Sequence, residues 1–147
     1  MKLADTKYGK YILTEVTTDL FLVKGERVKK GADPFIVNLD DSVIKGALGI
    51  STRWHLPEDF DKDKPMLTHH HDFDEYLCQF GTDVKNPHDL GAEFEMWLGG
   101  EKHIVTKSCV IYIPKGLEHG LKYHRVDKPV FHFVVFAGSK YESKNPF

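Results

Sequence analysis

The chain has 147 residues, 41 % of them hydrophobic and 29 % charged, and a formal net charge of -2. One globular domain of this length buries roughly 70 % of its unfolded surface, so it needs neither disulfides nor a partner to fold. Its 20 basic residues are interspersed with 22 acidic ones, which leaves no cationic stripe for nucleic acid, and no apolar run approaches a membrane span.

Met1–Leu13 lacks the continuous apolar stretch of a secretory leader, so a cytoplasmic location is expected. Tyr11–Val16 and Phe21–Val23 are short β-rich segments, followed by a charged, Gly-containing stretch from Lys24 to Pro34. Phe35–Leu39 is another short strand, and Val43–Leu56 reads as a long one with Gly46 and Gly49 as bulge or bend points. Pro57–Pro65 is an acid-rich loop. Tyr76–Phe80 and Phe94–Leu98 alternate as half-buried strands do, and Gly99-Gly100 before Glu101–Thr106 is a two-residue hairpin signal. Cys109–Ile113 is apolar and stops at Pro114, and His119–Val126 and Val130–Phe136 flank an Asp127-Lys128-Pro129 turn. Cys78 and Cys109 lie in apolar runs and read as buried thiols of a reducing compartment. Roughly eight to ten short strands with Gly/Pro/Asp turns predict an all-β sandwich or closed barrel. We read one domain over 1–147: N-terminal strands to about residue 45, a barrel over about 46–138 and a polar tail over 139–147. Trp54, Phe94, Met96 and Phe133 are expected in the core, with Trp97 and Phe131 free to cover a dimer face.

The 9 histidines include an internal run, His69–His71. In extended chain, residues two apart share a face, so His69 and His71 point together and His70 points away, toward packing or support of the other two. Two imidazoles so placed reach one metal ion. Glu75, four residues on, would be about 13 Å away along a flat strand. It joins such a site only if the strand ends at His71, turns through Asp72-Phe73-Asp74 and restarts at Glu75, and Asp favours such turns. A second segment, Pro114-Lys115-Gly116-Leu117-Glu118-His119, ends a buried strand, reverses at Gly116 and opens the next strand on His119.

These two segments resemble the paired motifs of the cupin superfamily. The first motif places His-x-His, Glu and then Gly at set spacings, matched by His69, His71, Glu75 and Gly81, with five residues before the glycine where six are usual. The second is matched by Pro114, Gly116 and His119, with Ser108 at the usual Gly and Tyr123 at the usual Asn. Thr82–Lys107 is longer than the connection in the smallest cupins, and the excess is assigned to an Asp83–Gly91 loop. The resemblance implies a double-stranded β-helix, or jelly-roll barrel, holding one divalent metal ion on His69, His71, Glu75 and His119. Fe, Mn, Zn, Ni and Co all suit such ligands, so the residues do not select the ion.

Strand parity then nominates the pocket. If His119 and Glu75 face inward, so do Leu121, Tyr123 and Arg125 on one strand and Leu77 and Gln79 on the other. Gln79, Tyr123 and Arg125 become candidate substrate-binding groups, with Tyr123 also a candidate catalytic acid/base and Arg125 a carboxylate anchor. Arg125 at the rim, paired with Asp127, is an equal alternative. His132 reads as a core or supporting histidine; His55, His88, His103 and His124 read as surface or satisfied core. The expected function is a metal-dependent enzyme acting on a small oxygenated substrate, by dioxygenase-type or Lewis-acid isomerase, lyase or hydrolase chemistry. The alternative is a small-molecule binding protein without turnover. A homodimer is expected, with neither nucleic acid nor membrane as partner.

Overall fold

The computed structural model describes residues 5–16, 20–21, 27–28 and 35–138. The strands, in chain order, are β1 (Leu20–Phe21), β2 (Arg27–Val28), β3 (Phe35–Leu39), β4 (Gly49–His55), β5 (Glu75–Gly81), β6 (Asp89–Leu98), β7 (Glu101–Lys107), β8 (Cys109–Ile113), β9 (His119–Val126) and β10 (Val130–Phe136). Strands β3-β4-β10-β5-β8 form one antiparallel sheet and β7-β6-β9 a second, while β1 pairs with β2. No helix among the described residues is long and apolar enough to cross a membrane. The two larger sheets bury a shared core that includes Leu77, Leu90, Phe94, Met96, Tyr123 and Phe136, the expected β-barrel of jelly-roll type.

Most of the expected strands form where alternation and turn chemistry agree. At Gly99-Gly100 both residues have positive φ, +56° and +88°, as a primed two-residue hairpin turn demands. Leu98 accordingly pairs with Glu101. The register of the five-stranded sheet stacks its inward residues in transverse rows. Gly49, Phe136, Glu75 and Ile113 form the first, and Ser51, Val134, Leu77 and Ile111 the second. Arg53, His132, Gln79 and Cys109 form the third.

Three expected elements differ. Tyr11–Val16 is not a strand; Gly9–Tyr11 is a 3-10 turn in which Tyr11 and Ile12 donate to Tyr8 and Gly9 carbonyls, consuming the amides locally. The Val43–Leu56 strand begins only at Gly49. Asp40 accepts from the Ser42 amide at 2.8 Å and Asp41 from the Gly46 amide at 2.7 Å, so Asx-type turns override the β-branched Val43 and Ile44. Conversely, β6 starts at Asp89, inside the expected loop, because Gly91 takes φ +68° and carries the chain through an irregular stretch. Trp54 and Phe133 are also displaced from the expected core. With Arg53 and His132 facing inward they point outward, in an aromatic row with Phe80 and Phe131. Residues 22–26 and 29–34, which hold most of the expected charged stretch, and the polar tail from 139 lie outside the described residues.

Gly49 leaves room for the Phe136 ring of the neighbouring strand. A Cβ there would lie 2.0 Å from the Phe136 ring. Gly49→Ala is therefore expected to displace Phe136 and cost about 1–3 kcal/mol in urea unfolding. A loss under about 0.5 kcal/mol would show that this contact does not set the sheet.

Candidate metal centre

The strand containing His69 ends as the sequence demands. His69 and His119 exchange backbone hydrogen bonds of 2.9 Å in each direction, an isolated antiparallel bridge. The chain then turns through Asp72–Asp74, and Glu75 opens β5. Two bonds join this turn to the second motif: the Gly116 amide donates to the His71 carbonyl at 2.9 Å, and the Lys115 amide to Asp74 Oδ1 at 2.9 Å. Gly120 makes room for the bridge, since a Cβ there would meet the Leu67 carbonyl oxygen at 2.3 Å.

One ring nitrogen from each of His69, His71 and His119 lies within 4.8 Å of the others, and all three side chains are buried. Donors bound at about 2.1 Å to one ion sit about 3.0–3.4 Å apart, so small rotations close this cluster on a cation. Glu75, 1 % exposed, brings Oε2 to 2.9 Å from His71 Nε2 and 3.7 Å from His119 Nε2. Both ring nitrogens of His69, His119 Nε2 and Glu75 Oε2 are buried without a hydrogen bond. Such orphaned polar atoms are costly in a barrel interior. A divalent ion would take the lone pairs and balance the carboxylate, so the residues present fit one.

The local environment prepares the donors. His119 Nδ1 donates to the Leu117 carbonyl at 2.9 Å, which leaves Nε2 as the lone-pair nitrogen facing the cluster. Burial, reinforced by the neighbouring histidines, lowers the His69 pKa to about 3, and burial also lowers that of His119. Both are neutral near pH 7, as ligation requires. The His71 ring stacks on Phe73 at 4.7 Å and 8°, and Phe73 packs on Phe136.

A second polar layer lies in the third row. Tyr123 donates to Gln79 Oε1 at 2.7 Å. Gln79 Nε2 lies 3.1 Å, and His55 Nε2 2.8 Å, from His132 Nδ1. With the Gln79 oxygen occupied, its amide donates, so His132 Nδ1 accepts, its one lone pair shared between Gln79 Nε2 and a donating His55 Nε2. Gln79 and Tyr123 thus line the interior as parity demands, but Tyr123 is not an acid/base at the histidines. Its proton is held by Gln79, burial raises its pKa, and it stands four residues, about 13 Å of strand, beyond His119. Arg125 does not join the pocket. Register shifts where Glu93 pairs with Arg125 but Phe94 with Tyr123, so the extra residue His124 reverses parity. Arg125 faces out, 3.2 Å from Asp127 and 3.8 Å from Glu93. His124 contacts Glu93 and Glu95, and His88 and His103 are exposed. Sequence reasoning missed Arg53 and gave His55 no pocket role; their alternation with Ser51 on β4 was the available signal.

The buried histidines make stability fall with acid. Burial, then the Arg53 charge, lowers the His132 pKa to about 3, and burial with His132 and Arg53 lowers that of His55. The unfolded chain takes up these protons near pH 6.5 and the folded chain does not, so stability is lost as pH drops from about 6.5 toward about 3. Each such histidine contributes up to about 1.4 kcal/mol per pH unit. Urea midpoints in EDTA at pH 7 and pH 5 are expected to show this slope, and His55→Gln to reduce it; a flat profile would contradict neutral burial.

A scan against protein-family models and a search of curated proteins find no match. Among solved structures, Fe(II)-HppE with the alternative substrate (S)-1-HPP superposes with TM-score 0.50 at 12 % identity, covering 84 % of this chain and 58 % of that one. A cupin protein from Bacteroides fragilis gives TM-score 0.44 at 17 % identity, covering 81 % and 90 %. An RmlC-like cupin from Shewanella frigidimarina gives 0.42 at 15 %, covering 62 % and 67 %. With two antiparallel sheets bringing His69-x-His71, Glu75 and Pro114-x-Gly116-x-x-His119 together inside one barrel, the chain has the cupin fold.

Proposed function

We propose that the protein binds one divalent metal ion through His69, His71, His119 and Glu75 and acts on a small oxygenated organic substrate. The observation that carries this reading is the convergence of ring nitrogens from His69, His71 and His119, with the buried Glu75 Oε2 beside His71 and His119, where His69 and His119 Nε2 have no hydrogen bond. Structural zinc sites favour closed, Cys-rich shells, whereas three His and one Glu leave positions open on a five- or six-coordinate ion. Such an ion supplies Lewis acidity to a carbonyl or carboxylate oxygen, or, as Fe(II), a place for O2.

The chain's own part is to hold neutral donors, orient them and keep water out. Phe73 and Phe136 cover the His71 side of the cluster, while Leu77 and Val134 form the next row inward, 6 % and 7 % exposed. With Tyr123 committed to Gln79, isomerase or lyase chemistry lacks the expected acid/base. Dioxygenase-type chemistry depends less on a protein acid/base and is the better fit. We extend the reading to a homodimer, for which the outer sheet face offers Tyr76 and Tyr112, 46 % and 50 % exposed with ring centroids 5.2 Å apart.

Metal content after purification tests the centre. Wild-type protein is expected to retain about one equivalent of Fe, Mn, Zn, Ni or Co, and His119→Ala to lose it. Metal at 100 times its dissociation constant should stabilise stripped wild type by about 2.7 kcal/mol and His119→Ala by none at that concentration. Absence of any thermal shift with all five ions would overturn the assignment, and absence of O2 uptake by the Fe(II) form on carbonyl and carboxylate substrates would remove the dioxygenase reading.

A further inference from the structure

Arg53 is the cation that the third row turns into the barrel. It pairs across β4 and β10 with His132, which in turn pairs with Gln79, so its side chain shares their face. The guanidinium carbon lies 4.8 Å from the centre of the Phe35 ring. Nε is buried without a hydrogen bond, and the Arg53 side chain forms no hydrogen bond or ion pair with any described residue. Its neighbours do not satisfy it. Tyr123, Gln79, His132 and His55 spend their facing donors and acceptors on one another, and the two histidines are neutral. Asp59 acts only at a distance. Arg53 is partly buried, with Nε enclosed, and a planar fork of donors with no carboxylate beside it is a receptor for one, because bidentate carboxylate binding satisfies geometry and charge together.

Arg53 stands two rows from Glu75, about 13 Å along the sheet, with Ser51, Val134, Leu77 and Ile111 between. We propose that Arg53 anchors a carboxylate at the far end of the substrate, whose oxygenated near end meets the histidine cluster and whose middle is apolar. The proposal rests on the metal-centre reading and assigns the substrate class: an organic acid with its carboxylate remote from the reacting group. It also places at Arg53 the anchoring role that sequence parity had given to Arg125.

The test compares two probes of equal chain length on the metal-loaded protein by calorimetry. 2-Oxoheptanedioate carries the remote carboxylate and 2-oxoheptanoate does not. Wild type is expected to bind the diacid at least about tenfold more tightly. Arg53→Gln should abolish that preference while leaving metal content and 2-oxoheptanoate affinity within about twofold. Arg53→Lys, which keeps the charge without the fork, should retain part of it. Equal affinities of wild type for the two probes, including no binding of either, would overturn the proposal, as would a preference that survives in Arg53→Gln. Failure of the metal centre reads out separately, as wild-type protein that takes up no ion.

Discussion

The reciprocal pair of hydrogen bonds between the backbones of His69 and His119 is the constraint on which the site depends. His69–His71 belongs to none of the named strands, and the bridge draws it against β9. One bridge is a weak unit of sheet, so its surroundings reinforce it. Thr68 donates to Glu118 at 2.9 Å, the Gly99 amide to the Glu118 carbonyl at 2.8 Å, and the Gly116 amide to the His71 carbonyl. These contacts fix the approach of two loops, and the histidine donors converge as a consequence of backbone pairing rather than of side-chain attraction. The buried nitrogens of His69 and Nε2 of His119 gain no hydrogen bond by meeting in an apolar interior. The backbone brings them together and leaves a deficit that a cation removes.

Row by row, the barrel interior alternates in character. The first row sets Glu75 between Phe136 and Ile113, the second is largely aliphatic, and the third is polar. The aliphatic row separates two arrangements that handle buried polarity in opposite ways. In the third row nearly every facing donor finds an acceptor inside the protein, through the Tyr123–Gln79–His132–His55 chain. A satisfied network of this kind stiffens the wall of a pocket. At the histidine cluster the nitrogens of His69 and Nε2 of His119 remain without a partner, a deficit that a cation would remove.

Strand positions were readable wherever period-two alternation ran between clear turn signals, as in β5 and in β8 to β10. Reading failed where a local side-chain bond outcompeted propensity. Val43 and Ile44 are good strand residues, yet Asp40 and Asp41 capture the neighbouring amides and the chain turns. The metal ligands were legible because their spacing carries its own geometric demand, met by the Asp72–Asp74 turn. Arg125 was misplaced for a reason no parity argument contains: one extra residue at His124 reverses every side chain beyond it. Arg53 was overlooked because its facing depends on the register of β4 against β10, a pairing between segments some eighty residues apart. Short-range pattern does not specify such a partner, although it does show Ser51, Arg53 and His55 on one face.

The spacing between the rows also has an electrostatic consequence. With two rows along the strands and two strands across, the sites are about 16 Å apart, at which two unit positive charges repel by about 1 kcal/mol at an effective dielectric of 20. A Glu75 carboxylate would remove one charge from a divalent ion, so Arg53 would face a net charge near one across the aliphatic row. A carboxylate on Arg53 would cancel the remaining repulsion and satisfy the buried Nε in the same step. An ion at the cluster and the guanidinium would therefore be far enough apart to coexist, yet a single ligand with oxygen at both ends would relieve both. That coupling favours a two-ended acid over a ligand that fills either layer alone.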